Sequence, residues 1–240
     1  MRKAFLCSLL MALTFGLVAA EKGKDLAAEK EALADLQTFV GGWRGAGQIR
    51  RGSTQGAWSE EADWSWCFFN GHASLQFKSP EGKYFSKGNI QPSGKPGHFT
   101  LVATLPDGKT EERFSGEREE DRLTLVAEKP AEDRPAQITI RLVAGGDRMI
   151  VLFERQLPGT ERFTRLSEVG YTRKGSGFGS GVSFPECVVT GGFATMSVDY
   201  KGQKYPICCE GCRDLFQMDP EGVLAEYRQR KAEERAKPKK

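Results

Sequence analysis

The sequence predicts a mainly β protein: an antiparallel up-and-down β-barrel followed by a small α+β module towards the C-terminus. Three observations carry that reading. Between Trp43 and Arg173, about ten short runs alternate apolar and polar residues, separated by turn-type clusters, with no helical spacing between them. The Gly/Ser-rich stretch 175–185 then breaks the pattern. Beyond it, four of the six cysteines fall within 26 residues, from Cys187 to Cys212.

The chain opens with Arg2 and Lys3, an apolar run from Ala4 to Val18, and the small residues Val18-Ala19-Ala20 before charge resumes at Glu21-Lys22. That is the layout of a secretory signal peptide. The run is shorter than the ~20 residues a membrane span needs. Residues 1–20 are therefore expected to be a cleaved export signal, and the protein to work in the periplasm or outside the cell. Cys7 sits inside the apolar run, away from the cleavage junction, so it is not read as a lipid-attachment site. No later segment is apolar enough to span a membrane. An N-terminal helical segment, 21–35, follows. Leu26, Leu33, Leu36 and Val40 recur at helical spacing and predict a helix over 25–40, stopped by Gly41-Gly42.

The barrel is placed at 36–174. A short strand reaches Ile49. In 58–68, Trp58, Ala62, Trp64, Trp66 and Phe68 share one face, broken by Glu60, while Ser59, Glu61, Asp63 and Ser65 share the other. Further strands are predicted at 72–78, 83–91, 98–105, 110–117, 122–128, 136–143, 148–154 and 160–173. Their separators carry turn chemistry, such as Ser79-Pro80-Glu81-Gly82, Pro106-Asp107-Gly108 and Pro158-Gly159. A meander this long closes to remove its unpaired edges; a β-sandwich is the alternative.

The phrase Gly41-Gly42-Trp43-Arg44-Gly45-Ala46-Gly47 resembles the Gly-x-Trp-x-Gly-x-Gly start of the first strand in lipocalin-like and fatty-acid-binding-like barrels. The resemblance implies that the Trp plugs the closed end and that the glycines let the strand bend. It also opens one functional reading, a carrier of a small apolar ligand, with the tryptophans lining a cavity. Plain core is the competing reading of that aromatic face. Haem is disfavoured, because only His72 and His98 could ligate it and both read as surface or turn residues.

After the linker comes a module at 186–230, ending in a charged tail at 231–240. It contains Cys187, a polar strand pair around Ser197 to Tyr205, and Cys208-Cys209-Glu210-Gly211-Cys212. So short a module usually needs a staple. If a helix begins near Cys209, its first turn brings Cys208 and Cys212 to one side, and the hairpin folds Cys187 back over it. The positive end of the helix dipole favours thiolates there. Soft thiolates select Zn2+ or Cu+ over Mg2+ or Ca2+. Asp219-Pro220-Glu221 starts a second helix, with Val223, Leu224 and Tyr227 as its apolar stripe.

Cys187-x-x-Thr190-Gly191, Tyr200-x-Gly202-x-x-Tyr205, Cys208-Cys209-x-Gly211-Cys212, Phe216 and Asp219-Pro220-Glu221 together resemble a YHS domain and its relative TRASH. The TRASH pattern is one Cys, about twenty residues, then Cys-x-x-x-Cys; here twenty residues separate Cys187 from Cys208 and three separate Cys208 from Cys212. The resemblance implies a treble-clef-like module that binds copper or zinc in metal sensing, trafficking or resistance, with a protein partner for metal transfer. One departure stands out. Where a full knuckle has a second cysteine, this chain has Thr190, a poor soft-metal ligand. Cys187, Cys208 and Cys212 are thus the firm ligands, with Cys209, water or a passing ligand as the fourth.

Other readings of the cysteines are disulfides, with Cys187 paired to Cys209 or Cys212, and a metal-free fold centred on Phe193, Tyr200, Tyr205 and Phe216. Cys67 reads as a small packed thiol. The balance of 35 basic against 32 acidic residues, net +3, points to no nucleic-acid partner. Gly-x-Ser-x-Gly, His-Glu-x-x-His and phosphate-binding glycine loops are absent from the sequence. The chain is read as a non-enzyme, with thiol redox chemistry at Cys209-x-x-Cys212 the one reservation.

Overall fold

The computed structural model describes residues 26–176 and 185–236; the expected signal peptide and most of the linker lie outside them. Ten antiparallel strands close into a barrel, each beside its sequence neighbour. They are β1 (Gly41–Gln48), β2 (Trp58–Phe69), β3 (His72–Lys78), β4 (Lys87–Pro92), β5 (His98–Thr104), β6 (Glu111–Glu119), β7 (Arg122–Ala127), β8 (Gln137–Val143), β9 (Arg148–Gln156) and β10 (Phe163–Arg173). Pairing of β1 with β10, from Trp43↔Arg173 to Gln48↔Glu168, closes the cylinder and removes the free edges a sandwich would leave. Two strand expectations shift. Ile49 lies beyond β1 and is exposed. The 83–86 part of the fourth run is a turn, held by the Ser79 N–H on the Ser86 carbonyl at 2.7 Å, and it buries Phe85.

The helix expected over 25–40 is not one continuous α-helix in its described part, 26–40. Helix α1 (26–32) gives way to a 3-10 helix at Ala34–Phe39. Three residues per turn put Leu33, Leu36 and Phe39 on one face, and all three are fully buried against the barrel. The apolar spacing of three, from 33 to 39, suits that tighter winding. Trp43 anchors the segment: its indole N–H donates to the Phe39 carbonyl at 2.8 Å. The Arg173 guanidinium lies 4.2 Å from the Trp43 ring and donates to the carbonyls of Val40 at 2.7 Å, Thr38 at 2.6 Å and Gly146 at 3.1 Å.

Inward-facing Trp43, Trp64, Trp66, Phe99, Phe114 and Leu75 fill the interior. The break at Glu60 in the β2 pattern is real: its side chain points inward with the tryptophans. It accepts hydrogen bonds from Trp58 Nε1 at 2.6 Å, from the Lys83 N–H at 3.2 Å and from the Tyr171 hydroxyl. Burial, then the Glu60 charge, pushes the Tyr171 hydroxyl well above its ordinary pKa, so it remains a donor. Tyr171→Phe removes one of these donors and is expected to cost about 1–3 kcal/mol of stability. Urea unfolding measures this, and an unchanged midpoint would mean the carboxylate does not depend on that bond. Beside Glu60 the interior leaves a cavity of about 50 Å3, bounded by Trp64, Tyr84, Phe85, Phe153 and Tyr171. Sites for small organic ligands span roughly 300–1,000 Å3.

Candidate metal centre

The C-terminal module consists of the hairpin β11 (Met196–Tyr200) and β12 (Gln203–Ile207) followed by α2 (Glu210–Met218) and α3 (Pro220–Ala236). Lys201 and Gly202 both have positive φ, 50° and 78°, which closes a two-residue turn between the strands. Ahead of the hairpin, 187–192 folds as a turn: the Cys187 N–H donates to the Gly192 carbonyl and the Gly191 N–H to the Cys187 carbonyl, each at 2.8 Å. The Val188 N–H then reaches the Pro206 carbonyl at 2.9 Å, which docks the turn beside Cys208. Cys209 occupies the N-cap position of α2, so Cys208 immediately precedes the helix and Cys212 lies in its first turn. Asp219 caps α3 through the Gly222 N–H at 2.9 Å. Helix α3 continues to Ala236, so part of the expected tail is helical.

These elements bring the sulfurs of Cys187, Cys208 and Cys212 within 4.8 Å of one another, all buried. The Cys208 and Cys212 sulfurs are 3.5 Å apart, and the five described cysteines are free thiols rather than disulfides. The Cys209 sulfur is 3.8 Å from that of Cys208 but stands outside the three-sulfur set; it accepts the Trp66 N–H of β2 at 3.4 Å. Thr190 does not replace a ligand cysteine. Its Oγ1 instead sits 3.6 Å from the Cys208 sulfur and 4.0 Å from the Cys212 sulfur, as a hydrogen-bonding neighbour. Cys67 is half-buried and outside the set. His72 and His98 are also elsewhere, paired with Glu29 at 2.9 Å and Glu117 at 3.1 Å.

The thiols share protons unequally. Hydrogen bonds from Cys208, then Cys212, pull the Cys187 thiol down to about 2, and Thr190 adds to this. The same two partners pull Cys209 down to about 3. The donors move the other way. Hydrogen bonding to Cys187 raises Cys208, and burial raises Cys212. Hydrogen bonding thus favours a thiolate at Cys187 and protonated thiols at Cys208 and Cys212. Three buried sulfurs at this spacing fit a soft closed-shell ion such as Zn2+ or Cu+, and offer no oxygen cage for Mg2+ or Ca2+.

The three spaced cysteines were visible in the sequence. Arg230 was not: its guanidinium donates to the carbonyls of Cys187 at 3.3 Å and Val188 at 3.2 Å and pairs with Glu186, while Lys231 holds the other Glu186 oxygen at 2.6 Å. A basic residue amid a charged helix carries no local signal of that role. Phe193, expected in the module's centre, is partly exposed beside Arg173; Phe216 is the buried ring, flanked by Tyr200 and Tyr205. No helix among the described residues is long and apolar enough to cross a membrane. No family model matches the chain, and comparison with curated proteins finds no match.

Proposed function

We propose that this is an exported metal-binding protein in which Cys187, Cys208 and Cys212 hold one Cu+ or Zn2+ ion for buffering, sensing or transfer to a partner protein, and that 186–230 is a YHS/TRASH-type module. The observation that carries it is the meeting of three buried sulfurs, none in a disulfide, from two separate stretches of chain. Buried free thiols gathered this closely are poorly explained as packing alone. The bound ion would supply a strong positive charge that neutralises the thiolates. The chain's own residues do the rest: the 187–192 turn presents Cys187, α2 presents Cys212, and Thr190 bonds the sulfurs. The barrel serves as scaffold or docking domain. Its free interior volume of about 50 Å3 favours that role over carriage of an apolar ligand. The leader supports export, and the lack of a recognisable catalytic motif supports a non-enzymatic role.

Titration of the full chain with each metal under reducing conditions tests this, with one ion per chain expected. Three thiolates must form, and burial and hydrogen bonding favour the protonated form at Cys208 and Cys212, so binding should release protons. The bound state has lost protons, so raising the pH favours it, and affinity should climb with pH near neutrality. Calorimetry in buffers of different ionisation enthalpy reads the proton count. No metal uptake, or a native protein whose thiols are covalently paired, would sink the reading.

A further inference from the structure

We propose that Cys209 is a docking sulfur and not a fourth ligand: clamped to the barrel, it leaves the ion three-coordinate and ties occupancy of the centre to the seating of α2 on β2. This rests on the metal-binding reading above. Strand β1 accompanies β2 only as far as Gly41↔Trp64, whereas β3 follows β2 to Phe69↔His72. Past Trp64, the β1-facing main-chain groups of β2 have no strand partner. In an alternating ladder the Trp66 amide and carbonyl point the same way as those of Trp64.

The N-terminus of α2 takes that vacant edge. The Cys209 sulfur accepts the Trp66 N–H at 3.4 Å. One residue on, Gly211 lies against the Trp66 carbonyl so closely that a Cβ there would come within 1.8 Å of the oxygen and 2.7 Å of the carbonyl carbon. The obstacle is barrel backbone and cannot rotate aside. Gly211 is thus required by the seam, not by the centre. Both contacts fall inside the segment that carries Cys208 and Cys212, so the position of two ligands is set by the seam as well.

The Cys209 sulfur is near enough to Cys208, 3.8 Å, to be recruited if it were released. It accepts from the strand amide as well as from the Cys208 thiol, and it stays outside the three-sulfur set. Coordination number then becomes a choice made by docking: three thiolates suit Cu+, and a fourth would complete a tetrahedral site that suits Zn2+. Outer partners of this kind shift metal affinity by roughly 10–100-fold.

Two variants of the full chain test the idea, each loaded in turn with Cu+ and Zn2+. X-ray absorption on the wild type should count three sulfurs around Cu+. Cys209→Ala should keep one ion and the same three sulfurs, while metal addition no longer slows hydrogen exchange at the Trp66 amide as it does in the wild type. Gly211→Ala should lift α2 off β2 and raise the sulfur count around Zn2+ to four. Four sulfurs in the wild type, or loss of a sulfur from the ion in Cys209→Ala, overturns the proposal while leaving metal binding intact. If Gly211→Ala does not fold, the wild-type count and the Cys209→Ala exchange pattern still decide. A wild type that takes up neither metal overturns both this proposal and the reading it rests on.

Discussion

Cys208→Ser is expected to weaken Cu+ or Zn2+ binding by roughly 10²–10³-fold while leaving the fold intact. The sulfur lies at the middle of the cluster, 3.5 Å from that of Cys212 and 3.8 Å from that of Cys209. Apparent binding free energies of structural thiolate sites, about 10–16 kcal/mol, are shared among three or four ligands, so deleting one removes several kcal/mol. Serine is close in size and can still bond the Thr190 hydroxyl, which now sits 3.6 Å from the sulfur. Unfolding of the metal-free protein should therefore change little. Cys67→Ser is the control, because Cys67 is outside the three-sulfur set. Competition with a chromophoric chelator measures the affinities. Equal affinity for Cys208→Ser and wild type would place the ion elsewhere.

Arg173→Met is expected to destabilise the barrel by about 3–5 kcal/mol, the scale for removing one member of a buried charged network. Arg173 is only 3% exposed. Burial pulls it down to about 10, so it is still charged at neutral pH. Its fork satisfies carbonyls from three places, Thr38, Val40 and Gly146, and its plane covers Trp43. Methionine fills much of the volume but leaves those oxygens without a donor. Lysine offers a point charge without the planar fork, so Arg173→Lys should recover only part of the loss. Denaturant unfolding followed by tryptophan fluorescence reads both. A loss under about 1 kcal/mol would show that the carbonyls find other partners.

The barrel was legible because its signals are repeated: alternation along ten strands and turn residues between them, each supporting the same answer. The break in the alternation of β2, Glu60, was equally visible, and it marks an interior carboxylate with three donors. The helix over 25–40 was drawn too long because Leu33 and Leu36 satisfy both helical periods; Phe39, three residues further, settles for the tighter one. The 83–86 segment looked like strand because Tyr84 and Phe85 are β-formers, and tertiary burial of Phe85 overrode that propensity. At the centre, cysteine spacing was enough to unite Cys187, Cys208 and Cys212. The contact between Cys209 and β2 was beyond reach, because a main-chain amide belongs to every residue and leaves no mark in the sequence. Gly211 did leave a mark, as a glycine inside a helix, but its reason lies on a strand some 145 residues away.

The grip of Arg230 on the carbonyls of Cys187 and Val188 has a consequence for biogenesis. A nascent chain extended only to Cys212 already carries every sulfur of the set, yet lacks the guanidinium that holds the first of them in place. The pocket is thus finished late, after the closing helix has been made and folded back. On the proposed metal-binding reading, the three-sulfur set would gain its full hold on an ion only once that last helix is in place.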